Sequence, residues 1–233
     1  MTDKKRWSDE ELQLWAYRLE GQSPEEIIAW AVEQYGTDIV FASSFGAEDV
    51  VVIDMIAKVA PQTPVFYLDT NKHFPETYET IERVAKHYNR DFIKVLPKLT
   101  LEEQAEQFGD ELWKTAPNQC CNIRKVEPLT DILSQYSSWI TGIRRDQAPT
   151  RANAKKIEWD EKFGLMKFNP LAGWTSEDVW AYIKANNVPY NPLHDNHYPS
   201  IGCDVCTRQV MPGEDPRAGR WSGHEKTECG LHK

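Results

Sequence analysis

Short apolar runs set among amphipathic stretches constrain this chain most. "DIVFA", "PVFYLD", "DFIKVL", "SWITGI" and "LMKFNP" are each long enough for one strand and too short for a helix. Between them, one helix starts near Ala47, another at Pro75, and helical stretches follow "DFIKVL" to about Leu133. Strands alternating with helices imply a parallel sheet with right-handed crossovers, an open α/β fold flanked by helices. Such folds bind ligands at the carboxyl ends of their strands, so chemistry is sought just after each run.

The flanks differ from this middle. Ser8 with Glu11, and Ser23 with Glu26 and Pro24, are capping-box signatures that predict two helices as a lead-in over residues 1–36. The α/β pattern predicts a nucleotide-binding domain over 37–190, closing with a helix capped by Thr175 and Asp178. From about Asn191 periodicity is lost and prolines and glycines punctuate the chain, so 191–233 is expected to be a loop-rich, mobile tail.

Charge narrows the function classes. With 27 basic and 36 acidic residues the net charge is -9, which argues against nucleic acid as a partner and requires local cations for any anionic ligand. The N-terminal stretch breaks its apolar residues with charges, so no signal peptide or membrane span is expected and a cytoplasmic location is.

Three strand-end segments could hold a nucleotide. In "FASSFGAEDVVVIDM" a strand runs through Ser43, Ser44 and Gly46 into a helix, offering hydroxyls, helix-start amides and a small residue to a phosphate. An ordinary capped turn would use the same residues, and neither a Walker A string nor GxGxxG is present. "YLDTNKHFPETYE" puts Asp69 and Thr70 where a ribose or adenine could be held, or where a plain turn would sit. "TGIRRDQAPTR" predicts that Arg144, Arg145 and Arg151 cluster at the same edge, where guanidinium forks suit phosphate or sulfate.

The 5 cysteines divide as four plus one. Cys120 and Cys121 are adjacent, and Cys203 and Cys206 form CxxC, so two pairs of thiolates could hold zinc or an iron–sulfur cluster. A single zinc needs its sulfurs about 3.8 Å apart, whereas neighbours on a helix do not face one another. Neighbouring cysteines can each take a different iron, and this favours a [4Fe-4S] cluster, with zinc as the alternative. Cys229 is left over in "GHEKTECGLHK", among His224, Lys226 and His232, which could stabilise a thiolate.

Taken together, "SSFGAED", "LDTNKHFPET", "CCNIRKVEPL", "TGIRRDQAPTR", the CxxC, "GEDPRAGRW" and "KTECGLH" carry a resemblance from about Asp38 to the end. The chain resembles the assimilatory adenylyl-sulfate and phosphoadenylyl-sulfate reductases, specifically the cluster-bearing, thioredoxin-dependent type. That resemblance implies an adenine nucleotide alpha hydrolase-like fold and reduction of adenosine 5'-phosphosulfate to sulfite and AMP. The 3'-phosphorylated form is a further substrate it allows. It implies Cys229 as the nucleophile, sulfonated and then released by thioredoxin or a glutaredoxin-like dithiol, and a [4Fe-4S] cluster on Cys120, Cys121, Cys203 and Cys206. Lys125 would lie between cluster and substrate; Arg217, Arg220 and His232 would meet the phosphosulfate. Ser43, Ser44, Gly46, Asp69, Thr70, Arg144 and Arg151 would shape the nucleotide pocket.

Two departures stand out. Asn71 follows "LDT" where the family has Gly, and Asn tolerates the left-handed turn expected there. "SSFG" lacks the SGGxDS loop of the related pyrophosphatases, which speaks against ATP hydrolysis. Two other readings remain: a sulfur-transfer enzyme that thiolates tRNA, and a zinc-stapled nucleotide sensor with an inert tail thiol. The first would want the full pyrophosphatase loop and a basic face; the second predicts a colourless protein without turnover.

Overall fold

The structure is a computed structural model, and it describes residues 7–226 and 228–231. The two lead-in helices, α1 (Asp9–Glu20) and α2 (Pro24–Tyr35), both carry the capping boxes read from Ser8 and Ser23. α2 buries Ile27, Ile28 and Ala31 in the main core rather than standing apart from it.

The sheet has six strands: β1 (Ile39–Ala42), β2 (Val65–Leu68), β3 (Ile93–Val95), β4 (Ser138–Ile140), β5 (Ile157–Asp160) and β6 (Leu165–Phe168). Their order is β3-β2-β1-β4-β6-β5, parallel throughout except that β5 runs antiparallel to β6. This is the open, mainly parallel sheet expected. The hairpin strand β5 lies in "IEWD", where two charged residues hide the strand pattern.

Strand alternation divides the core into two layers. Ile39, Phe41, Val65 and Ile140 face α2, α3 (Ala47–Val59), α4 (Pro75–Tyr88) and α9 (Ser176–Asn186). α3 is apolar nearly all round, with Val50, Val51, Val52, Ile53, Met55 and Ile56 fully buried, because it lies between the sheet and other helices. Each such side chain contributes about 1.5–3 kcal/mol of transfer free energy. On the other face Val40, Phe66 and Trp139 pack on Leu129 and Leu133 of α8 (Glu127–Leu133) and on Leu231 of the tail. Three short helices, α5 (Leu101–Phe108), α6 (Leu112–Thr115) and α7 (Pro117–Cys121), lead into α8. Among the described residues no helix is long and apolar enough to cross a membrane.

β1 connects onward to β2 on one side and pairs with β4 on the other, so the strand order reverses beside it. Open sheets form their ligand crevice at such a switch point. The segment after α9 returns over this crevice in irregular turns, pinned by antiparallel bridges between His73 and Cys203 and between Thr207 and Arg220.

Candidate active site

The turn after β1 supplies one wall of the crevice. Phe45 has a φ of 57° and is buried against Tyr67 and Phe92, a left-handed residue held by packing. Gly46 caps α3 without a side-chain bond, so the first-turn amides have no side-chain cap. The Asp49 carboxylate turns back to accept hydrogen bonds from the Ser44 amide (2.5 Å) and hydroxyl (2.6 Å). Burial pushes Asp49 up to about 6 despite those bonds. A Cβ at Gly142, just beyond β4, would overlap Asp49 Oδ1, so only glycine allows this approach.

The arginine segment follows β4, as expected, but its members part company. Arg144 is buried and donates from Nε and Nη2 to Glu48 Oε1 at 2.9 and 2.8 Å, with Asp146 on its other side. Arg145 does not join it. Its fork grips Glu20 of α1 at 2.7 and 3.0 Å, because the chain turns through a 3-10 segment at Arg145–Gln147 that sends successive side chains apart. Arg151 makes a two-pronged contact with Glu228, 2.9 Å for each bond, and Arg217 reaches the same carboxylate at 3.1 Å. Thr150 donates to it as well, at 3.1 Å. Glu228 is 5% exposed, and burial opposes its charge. The two arginines outweigh that penalty and hold the carboxyl below the usual range.

These elements enclose a cavity of about 690 Å³. Ser43, Ser44 and Gly46 line it from the β1 turn, Arg144 and Arg151 from the β4 loop, and Arg217, Arg220 and Cys229 from the tail. Lys125 completes it from the turn before α8. Asp69 and Thr70 do not line it. Asp69 accepts from the Asn71 amide, from Tyr78 at 2.8 Å and from Lys94 at 3.2 Å, while Thr70 is fully buried with its hydroxyl 3.3 Å from Cys203 Sγ. Their turn braces the cysteine side instead; Asn71, with a φ of 56°, takes the left-handed conformation expected of it. His232 lies outside the described residues. His224 is exposed, and Lys226 bonds Asn118 rather than the thiol.

A second, smaller cavity adjoins the first and is lined by Cys120, Cys121, Cys203 and Cys206. All are free thiols. Burial pushes Cys120 up to about 11 and Cys206 up to about 12, so as bare thiols they hold their protons at neutral pH. Among the described residues no three His, Cys, Asp or Glu side chains are poised on a single metal ion. Cys120 and Cys121 end α7, and the helix then widens into a π-turn over Asn122–Val126, the kind of local distortion that gathers at functional sites. That turn aims two cations differently. Arg124 is buried and bonds the Thr70 carbonyl (2.8 Å) and Gln104 (2.9 Å). Lys125 lines both cavities. Burial depresses its proton affinity, but the nearby Cys203, Cys229 and Cys121 sulfurs more than compensate and raise it.

Three contributors escaped sequence reasoning. Asp49 and Trp221 stand inside "SSFGAED" and "GEDPRAGRW" but carried no signal of their own contacts. Glu228 did, as the acidic neighbour of the odd cysteine in "KTECG", beside a surplus of arginines needing a counter-charge.

A switch-point cavity lined by hydroxyls and arginines defines an α/β protein built like nucleotide-handling enzymes. FMN adenylyltransferase from Candida glabrata shares the fold with a TM-score of 0.59 at 15% identity, over 96% of this chain and 78% of that one. The chain belongs to the phosphoadenosine phosphosulfate reductase domain family, whose profile matches residues 38–209. Among its relatives, the adenosine 5'-phosphosulfate reductase of Halalkalibacterium halodurans is 53% identical over 92% of this chain and 94% of its own length. Adenosine 5'-phosphosulfate reductase 2 of Bacillus subtilis is 51% identical over 89% of each chain. The phosphoadenylyl-sulfate reductase of Candida auris, solved as a phosphate complex, superposes with a TM-score of 0.80 at 33% identity, covering 88% of this chain and 100% of that one.

Proposed function

We propose that the protein reduces adenosine 5'-phosphosulfate to sulfite and AMP, through Cys229, in assimilatory sulfate reduction leading to cysteine. The observation that carries this reading is the single cavity in which Cys229, Lys125 and four arginines face the β1 turn. AMP would lie along the switch point, with its phosphate toward Ser43, Ser44 and the α3 amides. The phosphosulfate would extend toward Lys125, Arg217 and Arg220, with His232 expected to join them. In the first step the Cys229 thiolate attacks the sulfur, the bond from sulfur to the bridging oxygen breaks, and AMP leaves with that oxygen. The cations stabilise the charge that grows on the leaving phosphate. In the second step a thiolate of thioredoxin or a glutaredoxin-like dithiol attacks Cys229 Sγ and sulfite departs. Its second thiol then resolves the mixed disulfide, so the dithiol is oxidised and Cys229 returns as a thiol.

Two alternating encounters suit a nucleophile on a loop-rich segment. In this reading the described part of 191–233 would act as a tail that closes over the 37–190 nucleotide domain for the first step and opens for the second, with α1 and α2, from the 1–36 lead-in, as a helical brace. The four cysteines at the second cavity are assigned in this reading to a [4Fe-4S] cluster. What supports this is the donor set: four cysteines line that cavity, and the raised proton affinity of Cys120 and Cys206 as bare thiols is what bound iron would offset. Cys120, Cys121, Cys203 and Cys206 would hold it. Bound there, the group supplies fixed charge beside Lys125, while the dithiol supplies both electrons. A reducing cytoplasm suits free thiols of this kind.

The test is an intact mass and peptide map after incubating anaerobic protein with adenosine 5'-phosphosulfate and no thiol. One SO3 group on Cys229, discharged as sulfite by reduced thioredoxin, is the expected result. Absence of any adduct from either sulfonucleotide on protein carrying its cluster would sink the mechanism.

A further inference from the structure

Arg220 is held in an unusual way. Its guanidinium carbon stands 4.5 Å from the centre of the Trp221 ring. On Gly202, the residue before Cys203, there is no side chain to keep it off: a Cβ there would collide with Nη2 and with the central carbon. Nη1 is tied to the Ser200 hydroxyl (3.1 Å) and the Ile201 carbonyl (3.2 Å) of the same loop. Trp221 is 3% exposed, has a φ of 46°, and donates its backbone amide to the Cys206 carbonyl at 2.9 Å. Its ring forms wall for both the nucleotide cavity and the cysteine cavity.

We infer that Trp221 and Gly202 form a clamp that positions Arg220 against the sulfonyl end of the substrate, and that this clamp is how the cysteine-bearing loop sets affinity for that end. The inference rests on the proposed placement of the phosphosulfate. The physical case is one of entropy and geometry. A free arginine fork must be ordered when an anion binds, whereas this one is stacked, tied and backed by a bare Cα before the anion arrives. The left-handed backbone at Trp221, unfavourable for a bulky residue, persists because its amide bond to Cys206 and the packing around its ring fix it there. Both jaws belong to the cysteine loop or are hydrogen-bonded to it, so a shift of Cys203 or Cys206 moves Arg220. Trp221 and Gly202 are positioning residues; neither is assigned to touch the reacting atoms.

The experiment measures binding of adenosine 5'-phosphosulfate and of AMP by calorimetry on full-length, cluster-loaded protein carrying Cys229→Ser, so that nothing turns over. Trp221→Leu and Gly202→Ala should each weaken the sulfonucleotide about tenfold while changing AMP less than about twofold. Trp221→Phe, which keeps an aromatic face, should recover most of the loss. In an Arg220→Gln background the Trp221 and Gly202 changes should add nothing further, since their effect passes through that guanidinium. Gly202→Ala meets only the end of a flexible side chain, so it reads the clamp even if Trp221→Leu lowers the melting temperature. The inference is overturned if AMP weakens as much as the sulfonucleotide, if Phe behaves like Leu, or if the effects add fully to Arg220→Gln. Sulfite release by the wild-type protein is scored separately. Its failure would refute the proposed reaction, whereas the binding cycle decides the clamp.

Discussion

The two ends of the main cavity are built by different means. At the nucleotide end, Ser44, Gly46, Asp49 and Arg144 sit directly on strand ends or a helix start, and each charge has a partner within that frame: Asp49 with Ser44, Arg144 with Glu48. At the sulfonyl end, Cys229, Glu228 and Arg217 come from turns after α9, and among the described residues the salt bridge of Arg151 is to the tail carboxylate. A frame of strands gives a site that is ready before the ligand comes. A site closed by a few ion pairs can be opened again. The proposed two-encounter reaction would use the framed end for recognition and the ion-paired end for chemistry.

The sharpest way to break this contrast is to remove the nucleophile. Cys229→Ser should abolish sulfite production, a loss of at least about 10³-fold, and should leave AMP affinity unchanged in a calorimetric titration. If AMP binding fell as well, the two ends would not be separable. Stripping the proposed cluster site should come next in size. Protein prepared with Cys203→Ser, expected to lose the cluster, should still bind AMP within a fewfold while sulfite production falls by about 10²-fold or more, and its visible absorbance should vanish together with that activity.

The tail latch offers a subtler probe. Replacing Glu228 with Gln keeps the shape but leaves Arg151 and Arg217 facing a neutral amide, in a buried setting where losing one partner of an ion pair is costly. Stopped mass spectrometry of the Cys229 adduct should show its formation slowed about 10–100-fold, with release by reduced thioredoxin unchanged or faster. A slowed release instead would mean that Glu228 serves the open state, not the closed one.

The sequence announced these two ends unevenly. The sheet was legible because "DIVFA", "PVFYLD" and "SWITGI" bury both faces and so read as continuous apolar runs. Helix starts at Ser8, Ser23 and Thr175 were legible because a cap is a local event. β5 was not, since a hairpin edge strand tolerates Glu158 and Asp160 facing Lys167. At the site, the serines and arginines that follow strands fell where a parallel sheet must put them. Arg145 and the Asp69–Thr70 pair did not, because one 3-10 turn or one left-handed residue redirects a side chain by local geometry that composition does not encode. Gly202 meets Arg220 and Trp221 meets Cys206 only in the fold, and Glu228, though marked as the acidic neighbour of Cys229, carried no sign of which arginines it would meet.

Asp49 gives the smallest and most specific test, because both of its hydrogen bonds are to Ser44 at the preformed end. Burial, with the Glu48 charge beside it, raises its carboxyl from 3.8 to about 6, against the opposing pull of the Ser44 bonds and of Arg151. At pH below about 4 the group is protonated in both folded and unfolded chains, and its raised proton affinity contributes fully to stability. As pH climbs through about 6 the folded protein must ionise a carboxyl surrounded by protein, and that contribution is lost. Asp49→Asn removes the titration while an amide oxygen can still accept from Ser44. Relative to wild type, the variant should therefore gain on the order of 1 kcal/mol at pH 7–8 and no advantage at pH 4, measured by urea unfolding at both. A variant that is less stable at pH 7–8 would mean that the ionised Asp49 is paid back by its bonds to Ser44, and the nucleotide end would then depend on a charge rather than on its frame.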